Sequence, residues 1–234
     1  MARLQWDRSG QREFEAGVSQ VVLFPMGNAG YEAGVAWNGI TAIQENPGGA
    51  DVNDLFADDI KYASLRAAET FGCTIEAYTY PPEWNECDGS LEAVTGVFIG
   101  QQPRKAFGLV YKTKIGDDTH PGMDKGYKLH IIYNCTASPS SRGYTTINEN
   151  PDAISFSWDA ESTPVACTGH KAVSTIVIDS TKATPAKLTA LEQLLFGTSN
   201  ADAELPDPDT VISTLDPTRS VTRSIEEPED GDGR

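Results

Sequence analysis

The run RKAFGLVYKTK at residues 104–114 constrains this chain most, because its side chains alternate with a period of two. Phe107, Leu109 and Tyr111 fall on one face and Lys112 and Lys114 on the other, the pattern of an extended strand with one buried face. After the turn-rich GDDTHPGMDKG the same period returns in GYKLHIIYNC. There Tyr127, Leu129, Ile131, Tyr133 and Cys135 alternate with Lys128, His130, Ile132 and Asn134, so the two runs read as one long antiparallel hairpin.

Other segments extend the pattern. Ile154, Phe156 and Trp158 alternate with Ser155, Ser157 and Asp159, and STIVIDS supplies a further strand. CTIEAYTY, closed by Pro81 and Pro82, directs Ile75 and Ala77 one way and Glu76 and Tyr78 the other. LFADDIKYASLRAAETF at 55–71 is compatible with a helix through its Ala, Arg and Glu content, but is read as a hairpin turning at Asp58 and Asp59. One helix is clearly signalled at about 185–196: Thr184 stands as N-cap, Pro185 opens it, Leu188, Leu191, Leu194 and Leu195 form a stripe, and Gly197 ends it. The 21 Gly and 14 Pro fall in short clusters between runs rich in Val, Ile, Thr, Tyr and Phe. These signals predict a mainly β fold, a β-sandwich or barrel with one flanking helix and extended terminal arms.

The expected organisation is an N-terminal arm at 1–20, a β domain at 21–201, a C-terminal arm at 202–216 and an acidic tail at 217–234. Val211, Ile212 and Leu215 are apolar with little to bury them inside that short arm, which makes them candidate inter-subunit anchors. Trp6 and Trp37 join them, since each lies in irregular charged or Gly-rich surroundings, although core packing competes as a fate for both. Trp158 belongs to the core.

The formal charge of -16 is uneven, because residues 202–234 hold ten acidic and three basic side chains. The remainder is acidic too, which disfavours sequence-independent nucleic-acid binding. Cys73, Cys87, Cys135 and Cys167 stand far apart without a C-x-x-C, as expected of free thiols in a reducing compartment, and the first residues lack the apolar stretch of a signal peptide. No run approaches the ~20 apolar residues of a membrane span. The expected site of synthesis is a cytoplasm.

Catalytic signatures are missing: there is no H-E-x-x-H, G-x-S-x-G, P-loop or dinucleotide fingerprint. Asp117, Asp118, His120 and Asp124 could offer oxygen ligands to a hard cation, but their spacing meets no calcium-loop register, and a polar hairpin turn accounts for them. His130 is expected on a polar strand face as a solvated or interface residue. The expectation is therefore a protein with no active site, no cofactor and no metal.

Several segments, in order, resemble the major tail protein (tail tube protein) of siphophages, in the form found among phages of Gram-positive and especially actinobacterial hosts. They are WDRSGQR at 6–12, GVAWNGI at 34–40, LFADDIKYASL at 55–65, TIEAYTYPPEW followed by CDG at 74–89, GQQPRKAFGLVYKT at 100–113 and GYKLHIIY at 126–133. FSW at 156–158, IDST at 178–181 and the leucine-rich helix complete the pattern, which stops near residue 216.

The resemblance implies a virion structural protein, assembled in the host cytoplasm as hexameric rings stacked into a tail tube. Its partners would be further copies of itself, a tape-measure protein, a tail terminator and distal tail or baseplate proteins, with DNA in transit during ejection. Four strands from each of six copies, spaced ~4.8 Å and tilted ~40°, give a barrel about 48 Å across, with a bore of roughly 38 Å inside its side chains. Glu76, Asp159 and Glu161 are the candidate lumen-facing carboxylates, with outer solvent as the competing location. Two other functions fit the same composition: the inner tube of a contractile injection system, and a monomeric ligand-binding β-sandwich using exposed aromatics such as Tyr78, Tyr80 and Trp84.

Overall fold

In the computed structural model the described residues are 3–120, 122–147, 149 and 152–216. The acidic tail at 217–234 lies outside them. The first long strand, β1 (Phe14–Gly27), is followed by the short β2 (Gly30–Tyr31) and β3 (Val35–Ala36), which fold back on it. β4 (Ile40–Gly49) leads into the hairpin β5 (Val52–Ala57) and β6 (Ile60–Arg66), and β7 (Glu69–Ala77) returns beside β4. The short helix α1 (Trp84–Cys87) and a second hairpin, β8 (Leu91–Val94) and β9 (Val97–Ile99), precede the central pair β10 (Phe107–Gly116) and β11 (Gly126–Ala137). β12 (Phe156–Ser162), β13 (Thr175–Asp179), α2 (Pro185–Phe196) and α3 (Pro208–Leu215) follow.

The main sheet is antiparallel and runs β2-β1-β10-β11-β12-β7-β4, with β3 against β1 and β13 against β11. It divides at β11. One edge of β11 pairs with β10, while the other pairs with β13 through Lys128–Ile132 and with β12 through Cys135–Ala137. Between those two stretches Asn134 adopts φ 47°, a left-handed conformation that Asn tolerates better than most residues, opposite a register shift between Phe107 and Leu109. Its N–H donates to the Tyr31 hydroxyl at 2.9 Å and its carbonyl accepts from Thr163 N at 3.0 Å. The alternation expected to continue through Cys135 therefore breaks. Leu129, Ile131 and Tyr133 face the helices, whereas Ile132 and Cys135 face the space between the two halves of the sheet.

That space holds the first core, a β-sandwich-like interior. Trp37, Trp84 and Trp158 meet at its centre, with ring centroids 4.6 Å apart for Trp37 and Trp84 and 5.4 Å for Trp84 and Trp158. Ile75, Phe107 and Leu109 surround them, each with no exposed surface. Full burial of such side chains contributes about 1.5–3 kcal/mol apiece. Trp37 satisfies its indole N–H on Thr79 O at 2.8 Å. It is thus a core residue, 3% exposed, and the anchor role considered for it is corrected.

A second core lies on the other side of β1, β10 and β11, where α2 brings Leu188, Leu191 and Leu195 onto Val110, Leu129 and Ile131. α2 spans the range its sequence predicts. The segment 202–216 departs from expectation: Asp207 accepts from Thr210 N, caps α3, and sets Val211 into this core with no exposed surface. Val211 is therefore structural rather than an inter-subunit anchor, and Leu215 packs partly buried against the same cluster. Ile212 is half-buried. At the other terminus the strand begins at Phe14, so the N-terminal arm ends before residue 20.

Candidate functional site

β4, β7 and β12 form a sheet half with one face turned into the Trp core and the other left open. Register fixes which residues share the open face. Ser157 lies opposite Glu76, Asp159 opposite Thr74 and Glu161 opposite Gly72, while Ala42, Gln44 and Asn46 of β4 lie opposite Glu76, Thr74 and Gly72. The alternate residues Cys73, Ile75, Ala77, Trp158 and Ala160 are buried. A strict alternation in β7 and β12 thus places Glu76, Asp159 and Glu161 on a single exposed surface.

Hydrogen bonds cross this surface from strand to strand. Asn46 Nδ2 donates to Thr74 Oγ1 at 2.9 Å, and that hydroxyl donates to Asp159 Oδ1 at 2.7 Å. Thr136, at the end of β11 opposite Glu161, continues the polar face onto a fourth strand. No lysine, arginine or histidine stands among these paired, open-face residues, so the carboxylates meet no cation there. Small neutral side chains and three acids make a smooth, anionic wall. Such a wall repels phosphate groups over roughly a Debye length, about 8 Å at physiological ionic strength.

The rim of the sandwich carries a different polar group. His130 stacks on Tyr111 with centroids 4.6 Å apart, and its ring nitrogens lie 3.3 Å from Glu15 Oε1 and 3.4 Å from Glu45 Oε1. Tyr111 Oη donates to Glu45 at 2.6 Å, and Lys128 pairs with Glu15. The adjacent His130 ring, first, and the Tyr111 hydroxyl outweigh burial and hold the Glu45 carboxyl below its usual range. Burial pushes Glu15 up, but hydrogen bonds from Lys128 and Thr113 more than offset it. These residues join β1, β4, β10 and β11 across the rim. His130 is 12% exposed at its side chain, which corrects the solvated alternative of the expected solvated or interface histidine.

The turn at Asp117 is occupied by protein groups. Lys125 Nζ lies 2.9 Å from Asp117 Oδ2, and Thr119 and His120 donate to Oδ1, which together hold the carboxyl well below the usual range. Among the described residues no group of three or more His, Cys, Asp or Glu is placed to hold a metal ion. All four cysteines are buried, Cys73, Cys87 and Cys135 are free, and burial pushes the Cys87 thiol up to about 12. No helix among the described residues is long and apolar enough to cross a membrane.

Two hairpins stand off the sandwich with apolar side chains in the open. β5 and β6 expose Leu55, Phe56, Ile60, Tyr62 and Leu65, and β8 and β9 expose Leu91, Val94, Val97, Phe98 and Ile99. Of the aromatic anchor candidates, Trp6 alone is exposed, at 76%. Sequence reasoning missed Asn46, because β4 is interrupted by Asn, Pro and Gly and gives no clean strand signal, and it missed the role of Thr74, which lies on the readable strand β7 but meets Asn46 and Asp159 only through the strand register. Comparison with models of known protein families and with curated proteins finds no match to this chain.

Proposed function

We infer that this chain is a structural subunit that works in many copies, as the repeating unit of a phage tail tube, with the open face of β4, β7 and β12 lining the bore. The observation that carries this reading is the contrast between faces. Helices cover one side of the sandwich and the Trp core fills its middle, yet among the described residues a strand-paired surface bearing Glu76, Asp159 and Glu161 is uncovered and free of cations. Six copies set side by side would present that surface as a continuous anionic lining. DNA would pass without binding, since adhesion to phosphates needs the lysines and arginines this face lacks.

The exposed hairpins support the same reading. A lone two-stranded hairpin is marginal in water, and one that exposes large apolar side chains gains stability when a neighbour covers it. Closed heterologous contacts around a ring, and open ones between rings, give a tube of indefinite length. Sedimentation velocity and negative-stain microscopy of the purified full chain test this. The expected outcome is concentration-dependent growth of rings and tubes; a monomer that persists at high concentration, also with tail-initiator proteins added, would overturn it.

A further inference from the structure

The β5–β6 hairpin exposes apolar side chains on both of its faces. Cross-strand pairs Asn53 with Leu65, Leu55 with Ala63 and Ala57 with Ile60 set one mostly apolar face. The other face holds Phe56, opposite Lys61, and Asp54, which accepts from Ser64 at 2.6 Å and pairs with Lys61 at 2.8 Å; the two faces meet at the tip, where Phe56 and Ile60 flank it. The tip is formed by Asp58 and Asp59, both exposed and both in the left-handed region, at φ 52° and 62°. Neither has an ion-pair partner among the described residues. Phe56, Ile60 and Tyr62 beside the tip are 70%, 65% and 76% exposed.

The N-terminal segment has the opposite character. Residues 3–12 carry Arg3, Arg8 and Arg12 against the single acid Asp7, in a chain whose formal charge is -16. Its base is fixed to the turn between β10 and β11: Gly10 N donates to Asp118 at 2.8 Å, and Lys125 reaches Glu13 at 2.7 Å. Arg12 is used locally, donating to Asp7 O at 2.9 Å. Residues 3–9 are all exposed, with Leu4 at 72% and Trp6 at 76%, and none of the three arginines has an ion-pair partner among the described residues.

We propose that the tip of the β5–β6 hairpin docks on the N-terminal arm of a second copy, Asp58 and Asp59 meeting Arg3 and Arg8 while Phe56, Ile60 and Tyr62 cover Leu4 and Trp6. The occupant is chosen by charge complementarity: a basic apolar strip and an acidic apolar tip, without ion-pair partners among the described residues, belong to the same chain and are present in equal number. Charge pairing sets which surfaces meet and penalises wrong ones, and apolar cover adds affinity. The contact deepens the tail-tube reading and rests on it, because it supplies a specific joint between copies.

The test is a double-mutant cycle on the critical concentration for assembly of the full chain, read by sedimentation. Asn at the tip keeps the left-handed turn available, so D58N/D59N removes charge without breaking the hairpin. R3E/R8E, which opposes acid to acid, raises the critical concentration at least about tenfold, and D58N/D59N raises it by about threefold. Combining the two gives a lower critical concentration than R3E/R8E alone, because the repulsion is gone. Trp6 supplies a second measurement: Trp37, Trp84 and Trp158 are already buried, so assembly shifts tryptophan emission to the blue in wild type and not in Trp6→Phe. Changes that simply multiply, or tubes in which Trp6 emission stays unshifted, overturn the contact while leaving the tube intact. Wild-type protein that never assembles removes the tail-tube reading and the contact with it.

Discussion

Glu45 shows how much a single residue's role depends on partners distant in sequence. It sits on β4, a strand its own sequence barely announces, yet its carboxylate receives Tyr111 Oη at 2.6 Å and lies 3.4 Å from His130. Its pKa is lowered, first by the adjacent His130 ring, against burial. A depressed carboxylate contributes stability that is present above its unfolded value and is lost as pH falls through the folded one. Wild-type stability should therefore fall more steeply than that of Glu45→Gln between about pH 5 and pH 3. Chemical denaturation across that range checks it, and parallel curves for the two proteins would contradict the assignment. Trp37 teaches the same lesson about legibility. Its local context of Gly and Asn offers nothing to cover an indole, and only the distant Trp84 and Trp158 make it core.

Elements with a strong local period were legible. The β10–β11 hairpin and α2 follow directly from alternation, capping residues and the leucine stripe, and the hairpin expected within 55–71 is the β5–β6 pair. Two features escaped because they are set by tertiary contacts. Asn134 flips the facing of Cys135 through a bulge that no period reveals, and the Pro-started α3 is buried because Val211 finds the second core. The β5–β6 hairpin, by contrast, is separable from the fold, since every residue of β5 is exposed and only Ala63 of β6 is partly covered. Replacing residues 51–67 with a short Gly-Ser turn should leave the melting temperature within about 4 °C, equivalent to roughly 1 kcal/mol in a domain this size. The same variant should no longer assemble. Calorimetry and sedimentation read the two outcomes separately, and a collapse of the fold would show the hairpin to be structural.

On the scale of the whole molecule, three layers have distinct duties. Helices seal one side, two apolar cores hold the sheet halves, and β4, β7 and β12 keep a clean polar face on which Asp159 is tied into place by Thr74, itself held by Asn46. Alternation in CTIEAYTY and FSWDAES was enough to place Glu76 and Asp159 on strand faces away from the core. Their meeting on one surface, with Glu161, required the β7–β12 register, which the sequence does not encode in any local pattern. The central claim is that this surface faces the bore of a tube. An electron cryomicroscopy map of the assembled wild-type chain tests it most directly: the account predicts stacked six-fold rings with Glu76, Asp159 and Glu161 lining the lumen, and an assembly with that face on the outside would contradict it.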